Sequence, residues 1–206
     1  MSEQFRFEQY DALIFDMDGT LVDSMPLHLA AWQQTALEFG FSCDANWLYE
    51  LGGVPSRKIA ALIAHEQQIA LDPEAVARCK TAHYVAMIEQ ATPFPAMVAL
   101  VQQAAATLPM AIGTGSLHAN AERILAQSGL GLYIHTVVAA DDVQGHKPAP
   151  DTFLLAAERL GVAAADCLVF EDTEIGRLAA QAAGMDCVMV VEGAPDWATL
   201  TTGQTS

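Results

Sequence analysis

Short apolar runs recur along the chain, each bounded by polar or glycine-rich stretches: Ala12-Leu13-Ile14-Phe15, Met110–Gly113, Thr136–Ala140, Leu168–Phe170 and Val188–Val191. Runs this short and this uniformly apolar read as strands buried on both faces. Between the last four lie helical patterns. His118–Gln127 closes at Ser128-Gly129, Asp151–Leu160 closes at Gly161, and Ile175–Ala183 closes at Gly184, with glycine as the stop signal. Alternating strand and helix predicts an α/β fold with a doubly wound, Rossmann-like parallel sheet.

The spacing changes once. Roughly ninety residues separate the first two strands, too many for a single crossover helix. Their pattern is helical over about Leu27–Phe39, Arg57–Ala70 and Pro73–Gln90. The expected division is therefore a core of residues 1–23 and 93–206 with a helical cap, 24–92, inserted after the first strand. Thr92-Pro93-Phe94-Pro95 is expected to return the chain to the core, because paired prolines disfavour continued helix. The tail Thr201–Ser206 is expected to fray.

Composition narrows the class. At 206 residues and 52% apolar, the chain can bury a core, unlike a disordered acidic chain. A formal net charge of -16 disfavours nucleic acid as a partner. It also means that an anionic substrate needs a local cation or metal to overcome the global field. Cys43, Cys79, Cys167 and Cys187 lie far apart, with no C-x-x-C pair. Reduced, structural thiols are expected, which suits a cytoplasmic protein. No basic-then-apolar leader and no long apolar run is visible, so no membrane association is expected.

Chemistry concentrates where strands end. The first strand stops at Asp16-Met17-Asp18-Gly19-Thr20. Alternation along an extended segment lets Asp16 and Asp18 share a side, and two carboxylates there call for a cation. Mg²⁺ fits, since it takes few protein carboxylates together with substrate phosphate. An acidic turn closing a strand would look the same. Thr114-Gly115-Ser116 offers a hydroxyl and unhindered N–H groups for a phosphate, or simply a loop in which Ser116 caps the next helix. In Lys147-Pro148-Ala149-Pro150-Asp151 the lysine ammonium suits phosphate, or is a solvated residue in a proline turn. Glu171-Asp172 follows another strand and invites a metal, while Asp172 or Thr173 could equally cap a helix. Taken together, all four fall at one edge of a parallel sheet, the carboxyl edge where such sheets bind ligands. A nucleophile, a second carboxylate, a hydroxyl, a cation and metal ligands are what phosphoryl transfer requires.

As an ordered set, Asp16-Met17-Asp18-Gly19-Thr20, Thr114, Lys147 and Glu171-Asp172 resemble the four motifs of the haloacid dehalogenase superfamily. The helical insertion sits where that family's cap sits. Within the family the chain resembles the beta-phosphoglucomutase-like branch, and there the bacterial fructose-1-phosphate or sugar-phosphate phosphatase type. Lys147–Leu155 carries much of this. So do cap positions: His28 before Ala31-Trp32, Gly53-Val54-Pro55-Ser56-Arg57 with Pro55 as an extra residue, and Lys80 four residues before Tyr84.

The resemblance implies a Mg²⁺-dependent phosphatase acting on a small phosphorylated metabolite. By it, Asp16 is the nucleophile and Asp18 the acid and then base. Mg²⁺ is held by Asp16, the Asp18 carbonyl, Asp172 and, in or next to that shell, Glu171. Thr114, Gly115, Ser116 and Lys147 hold the phosphoryl group, while His28, Gly53, Arg57 and Lys80 face the substrate. A monomer is the expected state. Two rivals stand beside this reading: a beta-phosphoglucomutase, differing in what accepts the phosphoryl group, and a non-catalytic phosphoacceptor domain, which has no place for the insertion. Dehalogenation on carbon needs no Mg²⁺, and Glu171-Asp172 counts against it.

Overall fold

The computed structural model of the chain describes Phe7 and residues 9–203. Strand β1 (Ala12–Phe15) is followed by β2 (Val22–Asp23), then helices α1 (Met25–Phe39), α2 (Ala45–Glu50), α3 (Ser56–Glu66) and α4 (Pro73–Met87). The chain returns through β3 (Thr92–Pro93) to α5 (Pro95–Ala104), β4 (Met110–Gly113), α6 (His118–Ser128) and β5 (Thr136–Val138). Then come α7 (Asp151–Leu160), β6 (Cys167–Glu171), α8 (Glu174–Ala182), β7 (Asp186–Val191) and β8 (Ala194–Thr201).

Six strands form one sheet in the order β5-β4-β1-β6-β7-β8, with β8 alone antiparallel. Every residue of β1, β4 and β6 is buried, which is why these strands are nearly all apolar rather than alternating. Successive side chains leave opposite faces. Leu13 and Phe15 join Leu168 and Phe170 on one face, where the Phe15 and Phe170 rings stack at 5.1 Å. Ile14 and Val169 join Phe153 of α7 on the other. The chain runs from β1 out to β4 and β5 on one side, then back to β6 on the other. This reversal opens a crevice at the carboxyl end of β1, the usual binding position in such sheets.

The helical insertion leaves and returns through the antiparallel β2–β3 ribbon, with Val22 opposite Pro93 and Asp23 opposite Thr92. It carries its own apolar cluster of Trp32, Phe41, Leu48, Ile59, Ile63 and Val76. Local signals explain its helices. Asp44 and Asp72 accept backbone N–H groups at the starts of α2 and α4, and Pro73 occupies the first turn of α4.

Several local expectations need correction. α3 ends at Glu66 rather than continuing to Ala70, because Gln68 adopts a left-handed backbone with φ 53°. α2 and α5 were not anticipated, nor was β8. Far from fraying, Thr201 is the last residue of β8, and the Gly203 N–H donates to Asp186 Oδ1 at 2.9 Å. Residues 204–206 of that tail lie outside the described residues. The four cysteines are free thiols.

Candidate active site

Sheet register sets the site's floor. Phe15 pairs with Ile112 on one side and Phe170 on the other, so Asp16, Thr114 and Glu171 emerge at nearly one height. Lys147 arrives from the loop before α7. Its Nζ donates to Asp16 Oδ1 at 2.5 Å and to Glu171 Oε1 at 2.6 Å, and lies 4.7 Å from the centre of the Phe153 ring. Asp16, Thr114, Lys147 and Glu171 are all buried, with exposures of 3% or less.

Electrostatics follow from that burial. Desolvation pushes the Asp16 carboxyl well above the usual carboxylate range. Lys147 opposes this, and Glu171, Asp172 and Asp18 reinforce it. Burial, with Glu171 beside it, likewise pushes Asp172 up to about 7. Burial alone would lower Lys147, but the Asp16 and Glu171 carboxylates hold it above the ordinary ammonium range. Two carboxylates therefore share one ammonium, with Asp172 beside them.

The acidic group has the chemistry of a divalent-cation site. Asp16, Glu171 and Asp172 each place a carboxylate oxygen within 4.8 Å of the others. Asp172 Oδ2 is buried and accepts no hydrogen bond. Gly19, at φ +87°, keeps the space beside it open: a Cβ there would come within 2.2 Å of Asp172 Oδ2. Glu171 is more committed, because Oε2 already accepts the Thr173 N–H at 2.7 Å and the Thr173 hydroxyl at 2.9 Å. A hard dication taking oxygen ligands fits this donor set. Thr173, not Asp172, caps α8, accepting from the Gly176 N–H.

Asp18 points elsewhere. Ser24 (2.6 Å), His28 (3.1 Å) and Tyr84 (3.2 Å) donate to its Oδ1, and Ser116 (2.7 Å) and Thr114 (3.4 Å) to its Oδ2. Burial raises its pKa, yet His28 and these donors outweigh that and hold it well below the usual range. The alternative in which Ser116 merely caps α6 does not hold. Instead Leu117 holds the cap position, and the Ser116 hydroxyl serves Asp18.

A chain of donors reaches Asp18 from the cap. Lys80 Nζ lies 2.6 Å from His28 Nδ1. An ammonium has no acceptor, so Nδ1 must accept and the ring proton sits on Nε2, facing Asp18. Burial and Lys80 push His28 down, consistent with a neutral ring. Lys80 is pushed down to about 8 by burial, with Asp18 opposing. Its Nζ lies 5.0 Å from the centre of the Tyr84 ring, which itself stacks on His28 at 4.0 Å. Ser24 and Tyr84 were not singled out as site residues. Tyr84 had a usable signal, four residues from Lys80 on one helix face, whereas Ser24 had none.

These walls enclose a cavity of about 380 Å³ bordered by Asp16, Asp18, Lys80, Thr114 and Ser116. Trp32, Leu48, Leu51 and Val54 give it an apolar side, Gly53 also borders it, and Arg57 stands at its margin. The Gly53 loop rests directly on the core: a Cβ on Gly115 would fall 2.1 Å from the Gly53 carbonyl oxygen. Arg57 is mostly exposed and pairs with Glu74 at 2.6 Å, so it lies at the mouth, not the floor.

Comparison with known proteins shows the family. The pattern of the haloacid dehalogenase-like hydrolases matches residues 13–190. Fructose-1-phosphate phosphatase YqaB of Escherichia coli is 47% identical over 185 residues, covering 89% of this chain and 98% of that protein. Beta-phosphoglucomutase of Bacillus subtilis is 31% identical over 192 residues, covering 89% of this chain and 84% of that one. The crystal structure of CbbY from Rhodobacter sphaeroides in complex with phosphate superposes with a TM-score of 0.77 at 26% identity, covering 87% of this chain and 85% of that one. The chain therefore belongs to the haloacid dehalogenase-like hydrolases, as a phosphatase of the branch that also holds beta-phosphoglucomutases and CbbY proteins.

Proposed function

We propose that this phosphatase hydrolyses the phosphate monoester of a small sugar, with fructose 1-phosphate the leading candidate, using Mg²⁺ and Asp16 as nucleophile. The observation that carries the reading is the pairing of Asp16 with Lys147 across one cavity from Asp18. The sugar-phosphate assignment is supported by similarity to YqaB over almost its whole length.

In this scheme an Asp16 oxygen attacks phosphorus, the bond from phosphorus to the sugar oxygen breaks, and the phosphoryl group rests on Asp16. Asp18 gives a proton to the departing alkoxide and then takes one from the water that attacks the aspartyl-phosphate. Thr114, Lys147 and the Gly115-Ser116 backbone hold the phosphoryl oxygens. Lys147 also offsets the Asp16 charge that would repel a dianion. Asp16, Asp172 and the Asp18 carbonyl would hold Mg²⁺, with Glu171 beside them. When bound, Mg²⁺ supplies charge neutralisation at the phosphoryl oxygens. As arranged here, Asp18 accepts from five side chains, which suits the ionised form that activates water. Protonation as the acid requires it to give up some of those donors.

The test is phosphate release from a panel of sugar phosphates, with Mg²⁺ and after chelation. Release from one ester, abolished by chelation, is expected. Glucose 6-phosphate accumulating from beta-glucose 1-phosphate, with little free phosphate, would make the chain a mutase instead.

A further inference from the structure

The outer face of the cap carries a second group of metal-binding side chains. Cys79 and His83 lie four residues apart on α4 and so share one face. Glu38, near the end of α1, sits opposite them. Its Oε1 is 2.6 Å from His83 Nε2, and its Oε2 accepts from Cys79 Sγ at 3.3 Å. One sulfur, one imidazole nitrogen and one carboxylate oxygen thus lie within 4.8 Å of one another. The group opens to solvent, with Glu38 55% and His83 31% exposed.

We propose that Cys79, His83 and Glu38 form a binding site for a divalent metal ion of the zinc class, separate from the acidic site in the core. The donor set selects the ion. Thiolate and imidazole are soft to borderline ligands and suit Zn²⁺, whereas Mg²⁺ takes oxygen. Three protein ligands leave the fourth tetrahedral position to water. With metal–ligand lengths of about 2.0–2.3 Å, the hydrogen-bonded Glu38 and His83 atoms need only part slightly to admit the ion, within the 4.8 Å that the three donors already span. Two of the three ride on one helix and the third on its packed neighbour, so little backbone freedom is lost on binding. The Cys79 thiol, raised by burial and by Glu38, is protonated at neutral pH. Binding therefore releases that proton to solvent and forms a metal–thiolate bond in its place.

The location gives the site a structural consequence. Lys80 and Tyr84 directly follow Cys79 and His83 on α4, and with His28 of α1 they face Asp18. A metal bound on the outer face ties α1 to α4 behind the residues that reach the reaction cavity.

Co²⁺ serves as the spectroscopic probe. Titrated into the full chain in excess Mg²⁺, one equivalent of Co²⁺ is expected to give a thiolate-to-metal charge-transfer absorption that Zn²⁺ then removes. Cys79→Ser should eliminate the absorption. His83→Gln should weaken Zn²⁺ binding by about tenfold or more, while Asp172→Asn should leave it unchanged. Absence of the thiolate band, its survival in Cys79→Ser, or a Zn²⁺ affinity unchanged from the parent chain in both outer-face variants would overturn the site. Loss of binding in Asp172→Asn alone would do so too, by assigning the ion to the core.

Discussion

The two walls of the reaction cavity are built on different principles. The core wall hangs from strand ends. Asp16, Thr114 and Glu171 are placed by register between neighbouring buried strands, and Lys147 is tied to two of the carboxylates. Shifting any one of them means breaking a ladder of backbone hydrogen bonds. The opposite wall hangs from helices α1, α3 and α4, whose positions depend on packing around Trp32, Ile59 and Val76. Helices slide and tilt more readily than paired strands slip register, so this wall is the one free to follow a substrate. In the proposed scheme the nucleophile and the groups that hold the phosphoryl rest on the rigid wall, and the groups that face the sugar rest on the adaptable one. Substitutions on the core wall should therefore abolish turnover on every substrate, while those on the cap wall should redistribute it among substrates.

The largest effect is expected at Asp16. Asp16→Asn keeps the shape and removes the nucleophile, and should lower turnover more than about 10³-fold, a barrier rise above roughly 4 kcal/mol. Thermal unfolding should show a folded protein. Turnover within about tenfold of the parent would end the nucleophile assignment.

Gly19→Ala comes next. The new Cβ would collide with Asp172 Oδ2 in a backbone region that disfavours alanine. Mg²⁺ affinity, read as the concentration giving half-maximal activity, should fall about 10- to 100-fold, with maximal activity partly restored by excess Mg²⁺. An unchanged Mg²⁺ requirement would place the metal elsewhere.

Lys80 tests the deeper part of the cap wall. Its folded pKa near 8 lies below the value of about 10.4 for an exposed lysine. Between those values the unfolded chain binds more protons, so this group makes stability rise with pH across roughly pH 8 to 10.4. Activity runs the other way: above about pH 8 the cation facing His28 is lost, and kcat/KM should drop. Lys80→Met should remove both slopes. At pH 7 it should lower kcat/KM by about tenfold, roughly 1.4 kcal/mol, without lowering Tm. A lower Tm with unchanged activity would make Lys80 structural only.

Legibility in the sequence divides along the same line as the walls. Strands buried on both faces are nearly all apolar and stop abruptly at polar or charged residues, so β1, β4, β6 and the residues at their ends stand out. β8 is an edge strand with one covered face. Its inward positions, Pro195, Trp197, Thr199 and Thr201, are mixed in polarity, and Trp197 meets Phe170 edge-on at 5.8 Å. Such alternation is faint without knowing which face is covered. α5 did carry a helical pattern in Met97, Leu100, Val101 and Ala104 behind a proline. By contrast α2 is a six-residue helix, too short for periodicity to register. The donors around Asp18 come from α1 and the residue before it, α4 and the loop after β4, and no local pattern announces such a gathering.

Arg57 gives the smallest expected effect and the sharpest test of the division. It lies at the cavity mouth, mostly exposed, and its pairing with Glu74 is a surface ion pair worth about 0–1 kcal/mol. Arg57→Ala should therefore leave Tm nearly unchanged. A guanidinium at the mouth can reach only the far end of a bound molecule, away from Asp16. Its loss should raise KM for the preferred sugar phosphate by about three- to tenfold, up to roughly 1.4 kcal/mol, and leave kcat unchanged. An aryl phosphate, with no polar groups at that distance, should be hydrolysed as before. Equal losses on the sugar and aryl substrates would mean that Arg57 acts on the phosphoryl group itself, and the separation of chemistry from selection would fail at this residue.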